Sequence, residues 1–204
     1  MRGATEHWDK VYTSKAHDKL SWHQDQASIS LEWILEYANT KAAIIDVGTG
    51  VSILSDNLLD KGYQNLSLLE LSPSAIQVLK IRLKKYAERL TFYNENILDF
   101  ETETRFDLWH DRAVFHFLTD EEDQQIYIEK LTQHLKTGGY FLLATFAPTG
   151  PQQCSELDIV QYDKDKITQQ LGTHFKLIKT TSETHPHPNG TTQDFNYFLF
   201  KKIN

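Results

Sequence analysis

Two acids and two glycines stand at a spacing that suits a nucleoside. The run Ile44-Ile45-Asp46-Val47-Gly48-Thr49-Gly50-Val51-Ser52 passes from apolar residues through an acid into a glycine turn. Glycines in such a turn can take positive φ and let the backbone approach a ligand closely. A helix beginning just after it offers unpaired N–H groups. Glu70 stands twenty residues beyond Gly50, at the end of the next apolar run, where an acid can accept hydrogen bonds from both ribose hydroxyls. Taken singly, the glycines fit an ordinary strand-to-helix turn and Glu70 a solvated strand end. Taken in register, they point to a nucleoside ligand.

The kind of nucleoside follows from what surrounds the glycines. A dinucleotide site wants a third glycine three residues after Gly50, and Ile53 stands there; no other close helix N-terminus is offered to a pyrophosphate. Asp46, two residues before Gly48, suits a ligand carrying positive charge. An oxidoreductase with a degenerate NAD loop stands as the alternative.

These residues need a frame, and the rest of the chain supplies one. Apolar runs alternate with helical patterns, as in a parallel sheet covered by helices. Strands are expected at Ala43–Val47, Leu66–Glu70, Leu90–Asn94, Phe106–His110 and Tyr140–Phe146. Helices are expected at Ser28–Ala38, Val51–Lys61, from Ser72-Pro73 through Leu90, from a Thr119/Glu122 capping box to Lys136, and at Asp165–Leu171. His174–Glu183 and Gln193–Lys201, joined by the Pro/Asn/Gly-rich turn His185–Gly190, read as an antiparallel hairpin. The expected fold is α/β, with a mostly parallel sheet and this hairpin at one edge. A length of 204 residues fits one domain over 1–204, within which residues 1–40 form an N-terminal lid or helical segment.

Composition narrows the partners. A net charge of −7 disfavours phosphate backbones and anionic lipid, so neither nucleic acid nor a membrane surface is expected as a partner. One cysteine, Cys154, excludes an intramolecular disulfide. With no signal-peptide run and no apolar stretch of membrane-spanning length, a cytoplasmic location is expected. The sequence sets no oligomeric state.

The pattern Asp46-x-Gly48-x-Gly50 followed by Glu70 resembles the S-adenosylmethionine (SAM) signature of class I methyltransferases, and the likeness covers essentially the whole chain. It is closest to a bacterial branch of that family carrying His-Trp-Asp-x-x-Tyr (His7 to Tyr12), Ser-Trp-x-Gln (Ser21 to Gln24), Gly-x-Gly-x-Ser-x-Leu (Gly48 to Leu54) and the run Asp107 to Leu118. The resemblance implies a Rossmann-like, seven-stranded sheet of order 3-2-1-4-5-7-6 and SAM as cofactor. It assigns Asp46, Gly48 and Gly50 to the methionine end, Glu70 with Leu71 to the ribose, and Asn96 with Ile97 to adenine. The chain departs from the family at Ser52, where a third glycine is common, at Glu70, which replaces a frequent aspartate, and at Asn96, which replaces an acid.

Trp109-His110-Asp111-Arg112 ends the fourth strand at the same carboxyl edge. His110, counted with both the cofactor and the catalytic set, or Asp111 would orient or deprotonate a methyl acceptor, with Arg112 beside them; otherwise Asp111 and Arg112 pair structurally. Aligning nucleophile and methyl supplies much of the rate of such a transfer, so base catalysis is not a requirement. Trp8, Tyr12 and Trp22 either staple the N-terminal segment to the core or, as the branch motif implies, close over SAM. Phe146–Ser155 is expected on the acceptor side. His116 reads as a packing residue, His185 and His187 as loop residues rather than metal ligands, and Cys154 as no nucleophile. The acceptor is expected to be a small molecule, with a protein side chain of the lysine type, or a SAM-holding module without turnover, as the alternatives.

Overall fold

The computed structural model describes residues 4–186 and 190–204; the turn at 187–189, with His187, lies outside them. Helices are α1 (Thr5–Ser14), α2 (Ser28–Tyr37), α3 (Leu54–Asp60), α4 (Pro73–Arg82), α5 (Glu121–His134) and α6 (Lys164–Leu171). Strands are β1 (Ala43–Val47), β2 (Asn65–Leu69), β3 (Leu90–Tyr93), β4 (Phe106–Arg112) and β5 (Leu135–Phe146), the ribbon β6 (Gln153–Cys154) with β7 (Leu157–Asp158), then β8 (Phe175–Pro186) and β9 (Thr192–Lys202).

Seven strands form one sheet in the order β3-β2-β1-β4-β5-β9-β8, with the ribbon apart. With the ribbon left out of the count, this is the expected 3-2-1-4-5-7-6. β1 to β5 are parallel, and β9 runs antiparallel between β5 and β8.

Strand side chains alternate faces, and here the alternation divides the core in two. Ile44, Leu66, Leu108, Leu142 and Tyr197 pack with Trp33 and Ile34 of α2, Leu58 of α3 and Leu79 of α4. Ile45, Leu69, Trp109, Phe141 and Phe198 pack on the other side with Tyr127 and Leu131 of α5 and Ile167 of α6. The sheet is therefore covered on both faces, which is why its strands read as continuous apolar runs. The same parity decides where the polar residues at the strand ends point.

Several elements differ from expectation: the β6–β7 ribbon is additional, and β8 runs through buried His185 to Pro186 where a turn was expected. Within the expected N-terminal segment, Thr5–Ser14 is a helix that packs through Val11 and Tyr12 against Val51 and Ala75. The stripe after Pro73 does not continue as one helix to Leu90: α4 ends at Arg82 and a kinked 3-10 segment follows, with Tyr86 at φ −114°, ψ 15°. α5 begins one residue after Asp120, and no Thr119/Glu122 capping box forms.

Candidate active site

The site is built at the carboxyl ends of β1, β2, β3 and β4. Gly48 and Gly50 both take positive φ (62° and 52°). A Cβ on Gly48 would lie 2.1 Å from Val114 Cγ2, and one on Gly50 would lie 2.3 Å from the Tyr12 hydroxyl. Both glycines thus serve conformation and close packing at once. The loop amides are already engaged: Gly48 and Thr49 N–H donate to Leu69 O at 2.8 and 3.1 Å, and Gly50 N–H donates to Glu70 Oε2 at 2.8 Å. Arg82 holds the next stretch, donating to Val51 O at 2.8 Å and to Ser52 O. Ser52, in the place of a third glycine, uses its hydroxyl to accept from Leu54 N–H and so starts α3.

Glu70 follows directly on β2 and is 5% exposed. Its second oxygen, Oε1, accepts from Ser72 N–H at 2.8 Å. Burial raises its pKa to about 7, against the pull of those amides. Each oxygen keeps a lone pair for a further donor, the arrangement two vicinal hydroxyls require. Glu70, Leu71, Asn96 and Ile97 line one cavity. Asn96 Oδ1 accepts from Leu98 N–H at 3.0 Å, which fixes the turn after β3 and leaves a lone pair over.

The roof of that cavity comes from the first 22 residues. Trp8, Tyr12 and Trp22 all line it. Trp8 meets Trp22 and Phe117 edge to face at 5.8 and 5.1 Å. α1 is tied down by Asp9, which accepts from the Ser72 hydroxyl and from Ser74 N–H at the start of α4. The segment around Trp22 is held by β4 and β8: Arg112 Nη1 donates to Trp22 O at 3.0 Å, Gln24 Nε2 donates to Glu183 at 3.2 Å, and His185 Nε2 lies 3.1 Å from Ser21 O. The Ser-Trp-x-Gln segment is a strap fastened to β4 and β8.

A second cavity adjoins the first; Gly48, Trp22 and Arg112 line both. It contains Asp46, 6% exposed, and His110, 3% exposed, which pair across β1 and β4. His110 Nδ1 lies 2.6 Å from Asp46 Oδ1, and Nε2 lies 2.9 Å from Ser30 Oγ on α2. A carboxylate only accepts, so Nδ1 carries the proton. Both ring nitrogens are thereby occupied, and the geometry suits His110 to fixing Asp46 rather than to taking a proton from an acceptor. Thr49 Oγ1, also lining this cavity, is buried without a hydrogen-bond partner. An acid beside an unsatisfied hydroxyl fits an amino acid end group.

Parity corrects the reading of Asp111. His110 and Arg112 face α2, whereas Asp111 faces α5 and lines neither cavity. Its carboxylate, fully buried, accepts from Val114 N–H at 2.9 Å, Phe115 N–H at 3.1 Å and the Tyr127 hydroxyl at 2.6 Å. It fastens the turn after β4 and pairs with neither acceptor nor Arg112. Arg112 instead donates through Nε to the Tyr197 hydroxyl at 3.0 Å and lies over the Phe195 ring.

Other residues fall as follows. Gly50 lines neither cavity and acts through its amide on Glu70. His116 is buried against Phe117 and Phe146, and burial pushes its pKa down to about 3, so it packs as a neutral ring. Sequence reasoning missed Ser30, Thr49 and Phe195 as lining residues. Phe195 was legible only as a strand residue, and a serine inside α2 carries no signal. Cys154, from the segment expected on the acceptor side, lines the first cavity, with its thiol pushed up to about 11 by burial. Among the described residues no group of three or more metal-ligating side chains is present, and no helix is long and apolar enough to cross a membrane.

Fold and site together define an α/β domain whose sheet edge carries a cavity under an aromatic roof. The family described as "Methyltransferase domain" matches residues 38–196, and the chain belongs to that family. Human EEF1A lysine methyltransferase 2 is 24% identical over 159 residues, covering 70% of this chain and 67% of the relative. Malonyl-[acyl-carrier protein] O-methyltransferase 2 of Ilyobacter polytropus is 25% identical over 134 residues, covering 65% of this chain and 50% of its own length. In fold, the N-methyltransferase NodS of Bradyrhizobium japonicum, solved with S-adenosyl-L-homocysteine (SAH), matches with a TM-score of 0.73 at 14% identity, over 97% of this chain and 99% of that one. The chain thus spans about two thirds of one curated relative's length and half of the other's.

Proposed function

We propose that this protein transfers the methyl group of SAM to a small-molecule acceptor. The observation that carries the reading is the buried Glu70, held by the Gly50 and Ser72 amides at the mouth of a cavity that continues through Gly48 to Asp46 and His110. The donor set fits the cofactor from end to end. Glu70 would accept the ribose hydroxyls, Asn96 and Ile97 would flank adenine, and Asp46, set by His110, would take the α-amino group. Bound there, SAM supplies a methyl group on a positively charged sulfur. Trp8, Tyr12 and Trp22 exclude water, and their ring faces favour a cation beneath them. Positioning carries most of the catalysis in such a transfer.

The small-molecule reading rests on the roof, since the residues that close the site come from the chain's own N-terminal segment. Methylation of a protein lysine is the second reading, favoured by the relationship to the EEF1A lysine methyltransferases. Calorimetric titration with SAH, with NAD as control, tests the cofactor assignment. Micromolar binding of SAH alone is the expected result; NAD binding or no binding of SAH in folded protein overturns it. Methyl incorporation from labelled SAM then separates an enzyme from a module that only holds the nucleoside.

A further inference from the structure

Arg112 has a hydrogen-bonding group to spare. Its side chain is about nine-tenths buried and lines both cavities. Nε and Nη1 are used by the Tyr197 hydroxyl and Trp22 O, whereas Nη2 is buried without a hydrogen-bond partner. The nearest carboxylate oxygen, Glu183 Oε2, is 4.0 Å from Nη2, beyond hydrogen-bond reach, and is occupied by the Tyr197 hydroxyl at 2.8 Å. Glu183 lines neither cavity. A buried guanidinium with an unsatisfied donor is costly unless something accepts from it, and its planar fork matches a carboxylate.

The rest of the wall agrees. Beyond the adenosine side, where Glu70 and Glu95 stand, the first cavity is lined by Trp8, Trp22, Phe117 and Phe195, with Tyr12 and Cys154 as the other ionisable groups. Burial raises both of these above their ordinary values, so neither takes a proton near neutral pH. His110 is engaged at both nitrogens. No group on this wall is suited to receive a proton from an acceptor, and the one fixed charge is positive.

We infer that the acceptor is a small carboxylate, methylated as the anion while Arg112 Nη2 holds one of its oxygens; this rests on the SAM-dependent reading above. A carboxylate oxygen's electron pair forms the new O–CH3 bond and the methyl–sulfur bond breaks with its pair remaining on sulfur. The carboxylate becomes an ester, the sulfonium becomes a thioether, and no proton moves. An amine acceptor would instead build positive charge beside Arg112.

The test uses the full chain loaded with SAH. Acetate, benzoate and phenylacetate are titrated against their matched amides and amines. At least one carboxylate should bind about tenfold more tightly than its amide and amine, and Arg112→Met should remove that preference, read as the ratio of carboxylate to amide affinity at saturating SAH. Arg112→Lys, which keeps the charge but not the fork, should retain part of it. Equal binding across the panel, or a preference for amines, overturns the inference. Displacement of SAH by the carboxylate in the wild-type chain overturns it as well, because the spare donor would then serve the cofactor's own carboxylate. Failure of the wild-type chain to bind SAH is a different result and removes the parent reading instead.

Discussion

Asp9 of α1 accepts two hydrogen bonds at the start of α4, from the Ser72 hydroxyl at 2.8 Å and Ser74 N–H at 2.9 Å, two to four residues after Glu70. The residue that anchors the roof is therefore bonded to the segment that directly follows Glu70. Those donors hold the Asp9 carboxyl below its ordinary pKa. Asp9→Ala should free α1 without touching the sheet. Hydrogen exchange is expected to rise in residues 5–14 and remain unchanged in β1 to β5, with faster SAH release by stopped flow. Unaltered exchange in α1 would show that Val11 and Tyr12 hold the helix alone.

Glu70 should make cofactor binding depend on pH. Its pKa in the free protein is about 7, so below that pH it is mostly protonated. In the proposed complex the ribose hydroxyls donate to the carboxylate, so binding favours the ionised form and expels a proton. SAH affinity is expected to rise up to tenfold per unit as pH approaches 7 and to level off above it. Stability of the free protein has the opposite slope. A raised carboxyl pKa means the native state holds more protons than the unfolded chain between the ordinary value near 4.5 and about 7, so stability falls across that window as pH rises. Glu70→Gln should remove the step from both curves and weaken SAH binding by roughly 1–3 kcal/mol. Titration in buffers of different ionisation enthalpy reads the proton directly.

Asp111 should matter for folding and not for binding. Asp111→Ala orphans the Val114 and Phe115 amides and the Tyr127 hydroxyl, each costing roughly 1–3 kcal/mol if left unsatisfied. Denaturant unfolding should show a large loss for alanine and a smaller one for Asp111→Asn, which keeps an acceptor oxygen. SAH affinity per folded molecule should be unchanged in the asparagine variant. A fall in affinity at full stability would return Asp111 to the site.

Much of this arrangement was legible in the residues. β1 matches its expected span, and the mostly parallel sheet with an antiparallel hairpin follows from alternation and the closing turn, whereas the strand order came with the family resemblance. What was lost was lost for physical reasons. Asp111 was placed with His110 and Arg112 because they are adjacent in sequence, yet strand parity sends neighbours to opposite faces. α1 was placed only loosely, within a lid or helical segment over residues 1–40, because a helix with two buried side chains and no side-chain cap has little local signature. The helix after Pro73 was overextended because Leu83, Tyr86 and Leu90 keep helical spacing; spacing alone does not register the kink at Tyr86. Ser30 entered the site only because packing against β4 brings α2 to His110, a long-range relation that no local pattern encodes.

The family match begins at residue 38, whereas Trp8, Tyr12 and Trp22 all precede it. The roof lies outside the matched span and is buckled to β4 and β8 through Arg112, Gln24 and Glu183. A change at Glu183 in β8 therefore reaches the cover of a cavity that Glu183 does not itself line.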